Sequence, residues 1–454
     1  MSFFGLNLAA RGLAAQQNAM NVVGQNISNA STAGYHRQKA TISSLSVAGS
    51  NGQRAMGAGS DVTDVQRMQN QFLDAQLMGS GQNLGRWSAG KDALDQVVAL
   101  INEPSDTGLS SDMSKFWAGW QDLALHPDSA SSRNNVLQAG TTLAGSFNRI
   151  ASGLRGVQTQ QDSAIAANVD QVNRLAAKLA SLNNDITQSS ISGQAPNDLL
   201  DQRGTVLTEL SNLVDVRVQG NGGAGDTITL GGRSLVQGSQ SFALSAGQDA
   251  NGHTTVLWKE DGSAAKIAGG EIGGEIDIQQ NVIPAYMAKL DEVAVALRDR
   301  VNAVHSAGSG QDGTTGTNFF VGTDAASLAV NPALLADPRL LASGATSAAG
   351  DGTVAKAIAA IKSEALVSGS TLGEAYGSFA SLAGTHAVAM QDKLDAESQL
   401  SAQLTVQQQS VSGVNLDEEM TDMIRFQQAY NASARVLTTM DEMISTLINN
   451  YGAR

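Results

Sequence analysis

The chain has 454 residues, 28 of them basic and 42 acidic, for a formal net charge of −14. With no basic run, that balance argues against nucleic acid or an anionic membrane surface as partner. The absence of cysteine excludes disulfides, thiolate metal sites and cysteine nucleophiles.

The length suits roughly two to four domains. Aromatics are only 4% of residues and glycines number 48, so the cores must be built from Ala, Leu, Val and Ile, which suits closely approaching helices. No stretch approaches the ~18 apolar residues of a membrane span, and MSFFGLNLAARGLAAQQ lacks the basic region, apolar core and cleavage site of a secretory signal. If the chain is exported, another route carries it.

Leu6, Leu13, Met20 and Ile27 step by seven, with Ala9, Gln16 and Val23 beside them, which predicts an amphipathic N-terminal helix with a weak stripe. A stripe this weak suggests a helix that orders only on assembly. The Asn-, Ser- and Gly-rich run 26–38 ends it. A short strand at 40–47 and a Gly-rich link follow. Helical spacing returns from Asp61 to Ile101, with Val65 and Phe72 on one face and Leu84, Trp87, Leu94, Val98 and Ile101 on another, until Glu103-Pro104 stops it.

A short helix at 109–125 carries Met113, Phe116, Trp117, Trp120 and Leu123. After Ser129 the helical pattern runs for some sixty residues, with Ile165, Val172, Leu179 and Ile186 seven apart and Leu175 and Leu182 interleaved. Another helix follows Pro196. From Val214 the texture alternates instead: VDVRV, DTITL, SLVQG, SFALS, TTVLWK and AKIAG read as strands separated by turns. Helical spacing resumes at Ile283, Leu290, Leu297 and Val304, so the strands form an insertion. Residues 308–352 read as loop anchored by Phe319, Phe320 and Val321, and helices at 353–364 and 371–410 lead to the C-terminal segment.

There Leu416, Met423, Tyr430, Leu437, Ile444 and Tyr451 step by seven, with Phe426, Ser433, Met440 and Leu447 between them. Asn415 and Glu418 make a capping-box start, and Asp417, Glu418 and Glu419 complement the helix dipole. The two terminal stripes are satisfied by each other or by neighbouring molecules, or else they are ordinary core helices that lie at the chain ends.

The expected architecture is mainly α, with a small inserted all-β domain. Residues 1–35 and 411–454 pair as a coiled-coil-like terminal domain, 36–215 and 276–410 build a long-helix bundle, and 216–275 form the outermost β domain.

Catalytic, cofactor and metal signals are weak. Gly220, Gly222 and Gly225, and again Gly308, Gly310 and Gly313, match a dinucleotide fingerprint, but neither has both the preceding strand and the following helix. The histidines at 36, 126, 253, 305 and 386 lack ligand spacing and read as surface or capping residues. Asp249-Ala250-Asn251-Gly252 begins like a calcium loop but lacks its later ligands and reads as a hairpin. No catalytic, cofactor or metal residue is assigned, and the chain reads as a non-enzyme.

The N-terminal GLNLAARGLAAQQNAMNVVGQNISNASTAGYHRQ and the C-terminal SGVNLDEEMTDMIRFQQAYNASARVLTTMDEM together resemble the paired terminal signatures of the bacterial flagellar axial proteins. The matching positions are Asn26, Asn29, Gly34 and Tyr35 at one end and Gln428, Ala429, Tyr430, Ala434 and Val436 at the other. The interior, notably 196–218 and SLVQG at 234–238, is similar to the hook-associated junction members, whereas hook and rod members are β-rich there. Ala33 stands where many members have proline, and the chain is short for the group, with one β insertion visible.

That resemblance implies a structural adaptor between hook and filament, outside the cell and exported unfolded through the flagellar type III apparatus. The implied partners are other copies of the chain in a ring or tube, the hook protein, a second hook-associated junction protein and a cytoplasmic export chaperone. It implies no cofactor. The expected assembly residues are Leu6, Leu13, Met20, Ile27, Leu416, Met423, Phe426, Tyr430, Leu437, Ile444 and Leu447. A hook or distal-rod protein, a secreted wall-acting enzyme on an axial scaffold, and a coiled-coil scaffold unrelated to flagella are the alternatives.

Overall fold

The computed structural model describes residues 4–47, 56–193, 195–220, 223, 225–249 and 252–451. Contacts divide the chain into two units: 1–82, 171–243 and 397–454 form the first, 83–170 and 244–396 the second.

The first unit starts with α1 (Phe4–Ser28), then the antiparallel hairpin of β1 (Gln38–Val47) and β2 (Met56–Arg67). The helix predicted from Asp61 is therefore a strand as far as Arg67. Val62 and Val65 pair with Ile42 and Ala40, and β-branched residues suit a pleated ladder better than a helix. Asn70 is the actual helix start: its Oδ1 accepts from Phe72 N at 3.1 Å, capping α2 (Gln71–Ile101).

Between α2 and the strands run α3 (Leu109–Leu125), α4 (Ala130–Ile191) and α5 (Asn197–Leu213). The seven-residue seam of α4 is buried throughout, with Ile165, Val172 and Leu179 at 0% exposure. β3 (Val216–Gln219), β4 (Thr227–Leu230), β5 (Arg233–Gln237) and β6 (Gln240–Ser241) form one four-stranded antiparallel sheet in the first unit. Its tightest turn uses Gly231 and Gly232, both at positive φ (57° and 89°), as a two-residue hairpin needs.

β7 (Leu244–Gln248) and β8 (Thr254–Trp258) form a separate ladder that belongs to the second unit. The strands of 216–275 thus make two sheets, and AKIAG forms no strand; an isolated bridge joins Ala264, just before it, to Leu257. α6 (Gly270–Asp277) and a π turn (Ile278–Val282) run into α7 (Ile283–His305), followed by β9 (Phe320–Val321), β10 (Ala329–Val330), α8 (Pro332–Ala336) and α9 (Thr353–Ala360). α10 (Leu372–Ser412) contributes to both units, and α11 (Leu416–Tyr451) closes the first.

The second unit holds a continuous core from α2, α3, α4, α7, α9 and α10. At its centre Phe116, Trp120, Phe319 and Phe320 are fully buried, with the Phe319 and Phe320 ring centroids 4.7 Å apart and edge-on. The Phe319-Phe320 anchor expected in the 308–352 loop is real, although Val321 is exposed.

Both glycine fingerprints lack a nucleotide-binding context. The first joins β3 to β4, with Gly222 outside the described residues, and the second follows α7 without a helix after it. Asp249 and Gly252 close the β7–β8 hairpin, and Ala250 and Asn251 lie outside the described residues. Two histidine expectations are overturned. His36 and His305 are buried, at 7% and 1% exposure, because each is bonded within its unit rather than solvated.

Candidate functional site

α1 and α11 pack against each other. A β-carbon on Gly5 would stand 2.6 Å from Met440 Sδ, and one on Gly12 would stand 3.5 Å from Ser433 Oγ. At the far end Asn26 Nδ2 donates to Glu419 Oε2 at 2.9 Å. A step of seven or fourteen forward on α1 matches the same step backward on α11, so the helices are antiparallel and keep a heptad register.

On α11, Glu419, Met423, Phe426, Tyr430, Ser433, Leu437, Met440 and Ile444 are buried or half-buried at alternating spacings of four and three. Met423, Phe426, Tyr430, Leu437 and Ile444 thus lie on the face that takes burial. Leu416 does not: it is 49% exposed. The side chain of Leu447 lies outside the described residues.

On α1 the expected residues Leu6, Leu13, Met20 and Ile27 are only half-buried. The deepest positions are Ala9, Ala15, Ala19, Val23 and Asn26. Small side chains let two backbones approach closely, and the larger ones flank the contact. The stripe that reads as weak is a close-packing stripe, and α1 is already helical and paired in the single chain.

The turn after α1 is held by polar bonds that periodicity does not reveal. Gly34 sits at φ +78°, and a β-carbon there would meet Thr205 Oγ1 at 2.5 Å, so the position needs glycine twice over. The turn folds Tyr35 back so that its hydroxyl donates to Asn26 Oδ1 at 2.9 Å, and Gln38 N donates to the same oxygen at 2.9 Å. Asn26 Nδ2 also reaches Gln38 O at 2.8 Å. Burial, with the carboxylates of Asp198, Asp201 and Glu419 nearby, pushes the Tyr35 phenol well above its usual range, so it stays a donor.

Arg37 ties this turn to the start of α11. It lies 2.7 Å from Glu418 Oε2 and 2.7 Å from Glu419 Oε1, and its N–H donates to Ser412 O at 2.8 Å. Glu418 therefore spends its carboxylate on Arg37, and no bond back to the Asn415 N–H stands among the described residues. Asn415 itself caps α11, its Oδ1 accepting from Asp417 N at 3.0 Å.

Asp201 on α5 gathers the other side. His36 N donates to its Oδ2 at 3.1 Å and Arg67 Nε to its Oδ1 at 2.6 Å. His36 Nδ1 stands 2.8 Å from Asp201 Oδ1 and 3.0 Å from Arg67 Nη2. Arginine can only donate, so an unprotonated Nδ1 receives from Arg67 and a protonated one donates to Asp201. Asn26, Tyr35, Arg37, Arg67, Asp201 and Glu419 thus form a polar cluster around the turn, of which only Asn26, Tyr35 and Glu419 stand out in the sequence. The Asn-rich run and the Asp417-Glu418-Glu419 triplet were the available signals.

Among the described residues no group of three or more His, Cys, Asp or Glu side chains could hold a metal, and no helix is long and apolar enough to cross a membrane.

The model of the flagellar hook-associated protein FlgK helical domain matches residues 94–320. The flagella basal body rod protein model matches 6–36, and the flagellar basal body rod FlgEFG protein C-terminal model matches 407–450. These last two cover α1 and α11. Flagellar hook-associated protein 1 of Bacillus subtilis is 30% identical over 500 residues, covering 99% of each chain. Its counterpart in Escherichia coli is 27% identical, covering 98% of this chain and 99% of that one. The solved flagellar hook junction protein FlgK from Burkholderia pseudomallei has the same fold, with a TM-score of 0.65 at 17% identity over 74% of this chain and 100% of that one. With its terminal helices, its helical interior and its whole length all matched, the chain belongs to the flagellar hook-associated protein 1 (FlgK) family.

Proposed function

We propose that the chain is a structural subunit of the flagellum that joins hook to filament, and that its paired terminal segments, 1–35 and 411–454, are the assembly domain. The observation that carries this is on α11. One face of that helix is taken by α1, yet Leu416, Met420, Ile424, Val436 and Met443 remain 49–58% exposed. A soluble helix does not keep that much apolar surface in water without a use for it. In a ring or tube of copies, neighbouring terminal pairs cover these side chains, while Leu6, Leu13, Met20, Ile27, Met423, Phe426, Tyr430, Leu437 and Ile444 hold each pair together.

The hook protein on one side and a second hook-associated junction protein on the other are the neighbours this reading requires. A cytoplasmic chaperone that shields the α11 face before export through the type III apparatus fits the same surface. The chain acts without catalysis, as a joint. Apart from the β1–β2 hairpin, residues 36–215 and 276–410 serve as its helical body, and 216–275, whose strands fall in both units, as its β portion.

The test is complementation of a strain lacking the protein. Met420→Glu and Ile424→Glu should leave the purified monomer as helical as the wild type and abolish filament growth. Normal filaments from either variant would refute the assignment of this face. Hydrolysis of peptidoglycan by the purified chain would favour the enzyme reading instead.

A further inference from the structure

The second unit contains a cleft of about 230 Å³ whose walls come from the turn before α4, from 309–311 and from 343–350. Arg133, in the first turn of α4, lines it and is 2% exposed. Its Nη2 donates to Pro127 O at 2.8 Å and to Ser343 Oγ at 2.7 Å, and its Nη1 donates to Leu341 O. Its Nε has no hydrogen-bond partner among the described residues.

No carboxylate makes an ion pair with Arg133 among the described residues. A guanidinium stays charged when buried, and a buried charge without a counter-charge is unfavourable. Asp128 attracts the charge only through space, without an ion pair. His305, 1% exposed, is pushed down to about 4 by burial and by the Arg133 charge, so it is neutral and shares none of the burden. Asp128 lines the mouth but is solvent-exposed and outside ion-pair range. The remaining lining is Ser309, Ser343, Thr346, Ser347 and small neutral residues. Because Ser343 Oγ accepts from Arg133, its O–H is left to donate. The Ser309 and Thr346 hydroxyls donate to Gly310 O and Asp351 Oδ2, so the cleft offers one cation, with its Nε–H open, and the Ser343 hydroxyl as a donor beside it, which is the chemistry of an oxyanion seat.

We propose that this cleft binds a single oxyanion group, either a free inorganic anion or a carboxylate presented by a protein, on the Arg133 guanidinium. The site is in the helical body, separate from the terminal helices.

The full-length chain is melted in sodium phosphate, sodium acetate and sodium chloride at matched ionic strength and pH 7.5. A ligand of the folded state raises Tm in proportion to the logarithm of its excess over Kd. Phosphate or acetate should raise Tm over chloride in a saturable way. A response to phosphate alone identifies a free anion, and an equal or larger response to acetate identifies a carboxylate. Ser343→Ala, which keeps the cation, should weaken the apparent affinity several-fold. Ala349→Asp, placing a carboxylate in the lining, should raise Tm in chloride and remove the anion response. Indistinguishable melting of the wild type in all three salts overturns the proposal, and so does an Ala349→Asp variant that melts lower while still responding to phosphate.

Discussion

Asn26 and Glu419, 393 positions apart, are joined by a 2.9 Å hydrogen bond between two side chains each 1% exposed. This bond connects the end of α1 to the start of α11, and Arg37 completes it from the intervening turn. The Asn26 amide donates to one Glu419 oxygen, and the Arg37 guanidinium stands 2.7 Å from the other. Removing Glu419 takes one acceptor from the buried Asn26 amide and leaves Arg37 with Glu418 alone.

Glu419→Ala is therefore expected to destabilise the chain by about 1–3 kcal/mol, the range for a buried polar group left without its partner. Glu419→Gln keeps an acceptor for Asn26 and loses only the charge opposite Arg37, so it should cost about half as much. Urea unfolding followed by circular dichroism measures both. Equal losses would mean that the charge does not matter here and that side-chain volume does.

Gly34→Ala should be costly for backbone and steric reasons together. At φ +78° an L-residue costs about 1–2 kcal/mol, and the new methyl group would stand 2.5 Å from Thr205 Oγ1. Thr205→Ala removes the clash but not the strained φ. The double variant should recover part of the loss and not all of it, as read from the same urea transitions. Full recovery would show that the turn tolerates positive φ without glycine.

Much of the fold was legible because it is periodic. The α4 seam through Ile165, Val172, Leu179 and Ile186 could be written down from spacing alone, and so could the α11 face through Met423, Tyr430, Leu437 and Ile444. β2 was misread because Val65 and Phe72 happen to stand seven apart, which hides a strand, a capping Asn70 and a new helix within one apparent repeat. The polar cluster was not legible for a different reason. Its bonds join residues such as His36 and Asp201, 165 positions apart, and a tertiary pairing of single residues leaves no repeat in the chain. On α1, hydrophobic size pointed to Leu6 and Leu13, whereas close approach selected the alanines.

The antiparallel register makes the two ends one cooperative element. Amide hydrogen exchange on the monomer should show α1 and α11 protected to similar degrees, with protection falling towards Tyr451. Leu437→Glu places a carboxylate on the paired face and should deprotect both helices together while leaving exchange in α3 and α7 unchanged. Deprotection confined to α11 would mean that α1 is held chiefly by the β hairpin that also packs on it.

Glu275 contributes a pH dependence of its own. It is 5% exposed, and burial raises its carboxyl from an ordinary 4.5 to about 7, against the opposing hydrogen bond from Asn168 Nδ2 at 2.9 Å. Glu271 on the same helix adds negative charge beside it. A carboxyl whose folded value lies above its unfolded value holds its proton more tightly when folded. Its contribution is fully present below about pH 4.5 and is lost as pH rises through about 7. The loss amounts to at most about 3 kcal/mol. Oε2 has no partner among the described residues, so ionisation leaves a buried oxygen carrying charge without a donor. Glu275→Gln preserves shape without ionising. It should match the wild type within error at pH 5 and exceed it at pH 8.5. Parallel profiles from pH 5 to 8.5 would show that Glu275 does not titrate in this window.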